Sequence, residues 1–166
     1  VHHIMAYKFH LLREQAVPKK HVEEVNTCIH RHEGPVEVSC VYPPIELPKN
    51  DAGEVAWEPT FEYLESWRVD NNIDSEDYVY ALTTSPNENN WFSVNDVEGN
   101  CRNGFEHVDD HEWVTSAPSY VLTIHYLLKT LVNVILQDAG EDYQEKGGHK
   151  KAIGCFGDFC ADKRDL

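Results

Sequence analysis

From Met5 to Leu12 apolar and polar positions alternate, with Tyr7, Phe9 and Leu11 set against Lys8 and His10. A period of two predicts a first strand. Pro18 then opens a helix expected to run to His32, with Val22, Val25 and Ile29 on one face at spacings of three and four. Gly34-Pro35 ends it. Val36 to Tyr42 (VEVSCVY) is alternating and β-branched, which predicts a second strand. A proline-rich extended loop and a turn at Asn50 to Gly53 follow. Trp57, Phe61, Leu64 and Trp67 then share one helical face, with Glu58, Glu62 and Glu65 on the wet side.

Tyr78 to Thr84 (YVYALTT) predicts a strand, and SPNENN at 85–90 a turn. Trp91 to Val94 reads as a short strand, expected to pair with its predecessor as a hairpin. Phe105 to Val108 is a further short strand. Ser116 is expected to cap a last helix, with Pro118 in its first turn and its end near Gln137, before Gly140. That helix is apolar on most sides, so it is expected to be central and buried. The order predicts an α/β (α+β) fold: a mixed sheet with flanking helices and one central buried helix. Residues 1–166 are read as one domain, of which 147–166 is a polar tail containing glycine and cysteine.

Charge narrows the partners. The chain carries 29 acidic and 14 basic residues, a formal net charge of −15. Such a surface repels a phosphate backbone and an anionic bilayer, so nucleic acid and membrane are not expected as partners. A basic protein partner is. Oligomeric state is not fixed by these numbers. The longest apolar-rich stretch, Tyr120 to Leu136, is broken by Thr123, His125, Lys129, Thr130 and Asn133, so no unbroken apolar run of bilayer length is present. Val1 to Met5 lacks a basic region followed by an apolar one, so no secretory signal is expected, and Met5 is expected to be the natural start. Five cysteines, an odd number, favour a reducing compartment and hence the cytoplasm.

Three groups of residues could carry chemistry. Cys155 and Cys160 form a C-x4-C loop with His149 upstream. Two thiolates so spaced can share one zinc ion if further ligands join them. Reduced thiols and a disulfide are the other readings of the same pair. In His107-Val108-Asp109-Asp110-His111-Glu112, an extended backbone would bring His107, Asp109 and His111 to one face as a mixed ligand set, and an exposed acidic loop is the alternative. His125 is the one histidine within the apolar helix, where it is either a catalytic or ligating group or a hydrogen-bonded structural residue. Nucleophile-elbow and phosphate-loop motifs are both missing.

A helix bearing a histidine, followed by C-x4-C, resembles the archaemetzincin-like, zincin-type metallopeptidases over about residues 77–163. The strands that precede the helix stand in the same order as in that family. The resemblance implies a zincin-like fold, with Cys155 and Cys160 as ligands of a structural zinc. It also implies a degenerate active site. Where the family has H-E-x-x-H, this chain has His125-Tyr126-Leu127-Leu128-Lys129. His125 matches the first ligand, Tyr126 replaces the glutamate base, and Lys129 replaces the second histidine with a cation that would repel zinc. Gly154 rather than histidine precedes Cys155, and the later C-x-x-C has no counterpart before Leu166. GCFGDFCADKRDL also resembles the cysteine-rich tails of small bacterial proteins. The leading expectation is therefore a zincin-like interaction or regulatory module without peptidase activity. One alternative is a metal-dependent hydrolase built on His107, His111 and His125 with Asp109 or His149. Another is a metal-free structural subunit of a larger assembly.

Overall fold

The computed structural model describes residues 6–111 and 116–141. Its elements in chain order are β1 (Tyr7–Arg13), α1 (Lys19–Arg31), β2 (Val36–Ser39), α2 (Trp57–Asp70), β3 (Tyr78–Thr83), β4 (Ser93–Asn95), β5 (Asn103–His107) and α3 (Ser119–Asp138). The sheet order is β2-β1-β3-β5-β4. β2, β1, β3 and β5 run parallel, and β4 is antiparallel to β5. The mixed sheet with flanking helices expected from the sequence is the architecture observed.

The central strand explains the layering. Every residue of β3 is buried, and its side chains alternate between faces. Tyr78, Tyr80 and Leu82 join Phe9 and Leu11 of β1 in a core covered by Val22, Val25 and Ile29 of α1 and Leu127, Leu131 and Val134 of α3. Val79 and Ala81 join Leu12, Val94, Phe105 and Leu64 of α2 on the other face. Parallel strands covered on both faces read as nearly continuous apolar runs, which YVYALT does.

α2 is tied down at both ends. The Glu88 carboxylate accepts the Trp57 backbone N–H at 2.9 Å and so satisfies an otherwise unpaired donor at the helix start. Near its C-terminus the buried Arg68 guanidinium donates to Asn103 Oδ1 of β5 at 3.0 and 3.3 Å and to the Asp74 carbonyl at 2.8 Å. α3 packs Thr123, Leu127, Thr130, Leu131 and Val134 against the sheet and leaves Val121, Val132 and Ile135 exposed. By length and composition alone α3 would also suit a bilayer, even though polar residues interrupt its apolar run.

Three expectations change. β4 pairs with β5 rather than with β3, because both edges of β3 are already taken by β1 and β5. β2 ends at Ser39, and the chain leaves the sheet so that Tyr42 can turn back onto His10. Ser116 does not cap α3: Pro118 holds the cap position and no side chain caps that end.

Gly104 makes the tightest approach in the sheet. A Cβ there would lie 2.8 Å from both the Tyr80 ring and Asn95 Nδ2. Overpacking a filled core costs about 1–3 kcal/mol. Gly104→Ala is therefore expected to lower stability by that amount in urea unfolding, with the slope of the transition unchanged.

Candidate functional site

Ligands of open α/β sheets usually sit beyond the carboxyl ends of the parallel strands. Here that end is filled by a self-contained polar network. Glu14, just after β1, is buried: Oε1 accepts the Leu47 backbone N–H and the Lys49 ammonium, both at 3.1 Å, and Oε2 accepts the Thr83 hydroxyl. Glu14 thereby clamps β1, β3 and the 45–49 loop together.

A second chain of hydrogen bonds crosses from α1 to β5. Thr123 Oγ1 on α3 donates to Glu106 Oε1 at 3.0 Å, so it accepts from His21 Nε2 at 2.9 Å. His21 Nδ1 then accepts from the Ser119 hydroxyl at 3.1 Å. Four side chains from three elements thus share one direction of donation, ending on Glu106. That carboxyl is wholly buried, and its Oε2 has no hydrogen-bond partner among the described residues. Burial pushes the Glu106 carboxyl well above its ordinary range, only partly offset by the Thr123 bond. Burial also lowers His21, against the opposing pull of Glu24. Both groups are therefore favoured in their neutral forms, which suits a network with no charge to share.

The histidines singled out from sequence are positioned for structure. His107 ends β5, buried, with Nε2 donating to the Thr84 carbonyl at 3.1 Å. The backbone then bends, with Asp110 at φ 66°, so the segment is not extended. This bend folds His111 back, where its Nε2 donates to the His107 carbonyl at 3.1 Å and lies 3.5 Å from Glu106 Oε1. Asp109 points to solvent. Both Nε2 atoms are thus committed to carbonyls, and the trio His107, Asp109 and His111 is not assembled as a ligand set. His125 is half-buried beside the Tyr126 ring, at 5.4 Å between centroids, and burial, aided by Lys129, lowers its proton affinity.

The zinc expectation is accordingly corrected. Among the described residues no three histidine, cysteine or acidic side chains come together to hold a metal ion. Cys28, Cys40 and Cys101 are free thiols in separate places. Cys155, Cys160 and His149 lie outside the described residues.

A further buried cluster escaped the sequence reading. The alternation of β1 sets His10 on the face opposite Phe9 and Leu11, and there it is 4% exposed. Its Nε2 donates to Asp77 Oδ2 at 2.8 Å, and its Nδ1 accepts the Tyr42 hydroxyl at 2.5 Å. Tyr42 in turn packs edge-on against Trp67 of α2, with ring centroids 5.0 Å apart. One imidazole so joins the 40–44 loop, β1 and the start of β3.

The open concavity of the molecule lies elsewhere, along the free side of β4. A groove of about 1530 Å³ runs between α2 and α3, with β4 as its floor. Register leaves the backbone of Val94 paired inward with Phe105, so the polar backbone groups of Ser93 and Asn95 face outward. The Asn95 side chain is fixed by the Thr130 hydroxyl of α3 at 3.1 Å. Trp57, Phe61 and Trp91 form an aromatic end. Glu58, Glu62, Glu65, Asp96, Glu98 and Glu141 line the walls, and Lys129 is the one cation among the described lining residues. Only the helix-face spacing of Trp57 and Phe61 hinted at this from sequence; the groove itself depends on β4 being an edge.

No protein-family model and no curated protein matches the sequence. Among solved structures, a zinc-dependent peptidase from Methanocorpusculum labreanum (strain Z) is similar at 13% identity and a TM-score of 0.49. The alignment covers 90% of this chain and 86% of that one. At that identity and score neither a family nor a residue role is carried over from it.

Glu106 gives a pH dependence with a definite sign. Its folded-state affinity for the proton is raised, so its contribution to stability is complete below about 4.5, the unfolded value, and falls as pH rises above it. The slope is at most about 1.4 kcal/mol per pH unit. Glu106→Gln is expected to remove this component, and comparing urea unfolding of both proteins from pH 5 to 8 measures it. His10→Leu leaves Asp77 and Tyr42 without their shared partner, and a loss of about 1–3 kcal/mol is expected in the same assay. Tyr42→Phe, which removes the bond to His10 and a long one from Ser39 at a half-buried site, should cost less.

Proposed function

We propose that this chain is a protein-interaction module that seats an extended, basic segment of a partner along β4. The observation that carries the reading is the groove: β4, the terminal strand among the described residues, lies at its floor and acidic side chains line its walls. An extended peptide can add to such an edge through main-chain hydrogen bonds, while side-chain pockets supply selectivity. The outward backbone groups of Ser93 and the Asn95 N–H offer those bonds, while the Asn95 carbonyl already accepts the Val97 N–H at 2.9 Å. The walls, and a net charge of −15 overall, attract a cationic segment and repel an anionic one.

Binding without hydrolysis is the mode this chemistry favours. The groove presents carboxylates, asparagines and one lysine, with no histidine among its described lining residues. Of the histidines a hydrolytic site was expected to draw on, His107 and His111 donate to backbone carbonyls within the fold, and His125 is absent from the groove's described lining. The module would regulate or recruit its partner by reversible occupancy, and its attraction would weaken as salt screens the walls.

Full-length protein titrated with fluorescein-labelled nine-residue peptides tests this. Peptides of alternating threonine and valine would carry either lysines or glutamates at matched positions. The lysine peptide is expected to bind, and to weaken severalfold between 50 and 300 mM salt. Glu58→Gln/Glu62→Gln/Glu98→Gln should weaken it further while leaving the circular dichroism unchanged. Equal binding of the glutamate peptide, or indifference to the triple substitution, would sink the proposal.

A further inference from the structure

We propose that Asn103-Gly104 in β5 is a self-modification site. When β5 opens, the Gly104 backbone nitrogen displaces the Asn103 side-chain amide as ammonia, and the altered strand no longer closes in its register. The inference is independent of the groove reading.

This is the chain's one Asn-Gly pair. Asparagine followed by glycine is especially prone to this loss, because glycine has no Cβ to shield the attacking nitrogen and leaves the backbone free to bring it round. Packing nevertheless requires both residues. Asn103 is fully buried, and its amide serves two opposite partners. Oδ1 accepts from Arg68 Nε at 3.3 Å and from Nη2 at 3.0 Å, while Nδ2 donates to Glu65 Oε2 at 2.7 Å. An ionised aspartate has no proton for Glu65, and leucine would satisfy neither partner. At Gly104 a Cβ would lie 2.8 Å from both the Tyr80 ring and Asn95 Nδ2. The fold thus demands a chemically short-lived pair at this place.

The paired strand keeps the reaction from starting. Ring closure needs the Asn103 amide carbon and the next backbone nitrogen to swing together. Here the Asn103 N–H donates to the Asn100 carbonyl at 2.8 Å, and the Asn103 carbonyl accepts the Asp96 N–H at 3.0 Å. Val79 donates to the Arg102 carbonyl at 3.0 Å in a parallel ladder that pairs it with Asn103, which aims the Gly104 N–H at the Val79 carbonyl. The bonds from Arg68 and to Glu65 hold the side chain as well. Neither reacting group can turn while β5 is paired on both sides.

Opening of the strand releases both groups. The Gly104 nitrogen loses its proton to solvent and bonds to Asn103 Cγ. The Cγ–Nδ2 bond breaks, ammonia leaves, and a cyclic imide remains. Water then opens the imide at either carbonyl. One product is aspartate, whose carboxylate would face Glu65 where a hydrogen bond stood. The other is isoaspartate, whose main chain runs through the side-chain methylene and is longer by that atom. From Gly104 to His107 such a strand would be out of step with β3 and β4 together. A chain that stays open long enough therefore loses its route back.

Full-length protein is held at mildly alkaline pH in plain buffer and in concentrated urea, and Asn103 is followed by peptide mass spectrometry. Conversion is expected to be at least about a hundredfold faster in urea. On dilution from urea, the fraction that fails to regain the native circular dichroism should equal the isoaspartyl fraction. Glu65→Ala, at a half-exposed position, removes one anchor of the amide. It should speed conversion in buffer severalfold and leave the rate in urea as it was. Gly104→Ala, compared in urea where stability plays no part, should convert severalfold more slowly. Equal rates in buffer and urea, or a buffer rate indifferent to Glu65→Ala, overturn protection by the paired strand. Complete refolding of isoaspartyl chains overturns the loss of register. Conversion in urea that is no faster at Asn103 than at the other asparagines overturns the site itself.

Discussion

β3 has no face that can meet water. Six consecutive residues are buried, two of them tyrosines, so each side of the strand requires a helical layer and each edge a partner strand. The rest of the architecture follows from this requirement. β1 and β5 occupy the two edges, α1 and α3 cover the tyrosine face, and α2 covers the face of Val79 and Ala81. Because β5 takes the second edge of β3, the short strand between them in sequence is displaced outward. Among the described residues β4 therefore becomes the sheet's terminal strand, with its outer side between two helices.

Covering both faces also brings polar side chains inside, and the fold resolves each of them locally. Glu14 is surrounded by three donors from two segments, the 45–49 loop and β3. His10 joins an acid and a phenol. Arg68 links α2 to β5. Glu106 is the exception, since only one of its oxygens is hydrogen-bonded and its environment favours the protonated form. A neutral carboxyl in a chain with His21, Thr123 and Ser119 fixes α1, α3 and β5 relative to one another without a buried charge. Glu14 and Glu106 lie toward the carboxyl ends of β1 and β5, where α/β folds commonly bind ligands, whereas the groove lies along β4.

An exposed strand edge invites unspecific pairing, and proteins commonly limit it with short strands and nearby charge. β4 has three residues, followed by Asp96 and Glu98. The same features would suit the cationic segment proposed above, since acidic walls favour its charge. Edge and walls come from β4 and from the helices respectively, so each can be altered separately.

Periodicity in the sequence determined most of the elements. The apolar face of α1, the aromatic spacing of α2 and the continuous apolar run of β3 are local patterns, and each formed close to where the pattern placed it. The acidic balance likewise depends on composition alone. Contacts distant in sequence were decided only in three dimensions. Nothing local shows that β4 pairs with β5, because the preference for a hairpin with β3 yields to β5 filling the available edge. Nothing local shows that His10 is buried, because one strand's alternation cannot reveal a helix packed on its polar side. The cluster at 107–111 looked like a metal site because an extended backbone would align its side chains. The bend at Asp110 turns them onto carbonyls instead. The groove was least legible of all: its floor, walls and aromatic end come from separate parts of the chain, and only packing around β3 brings them together.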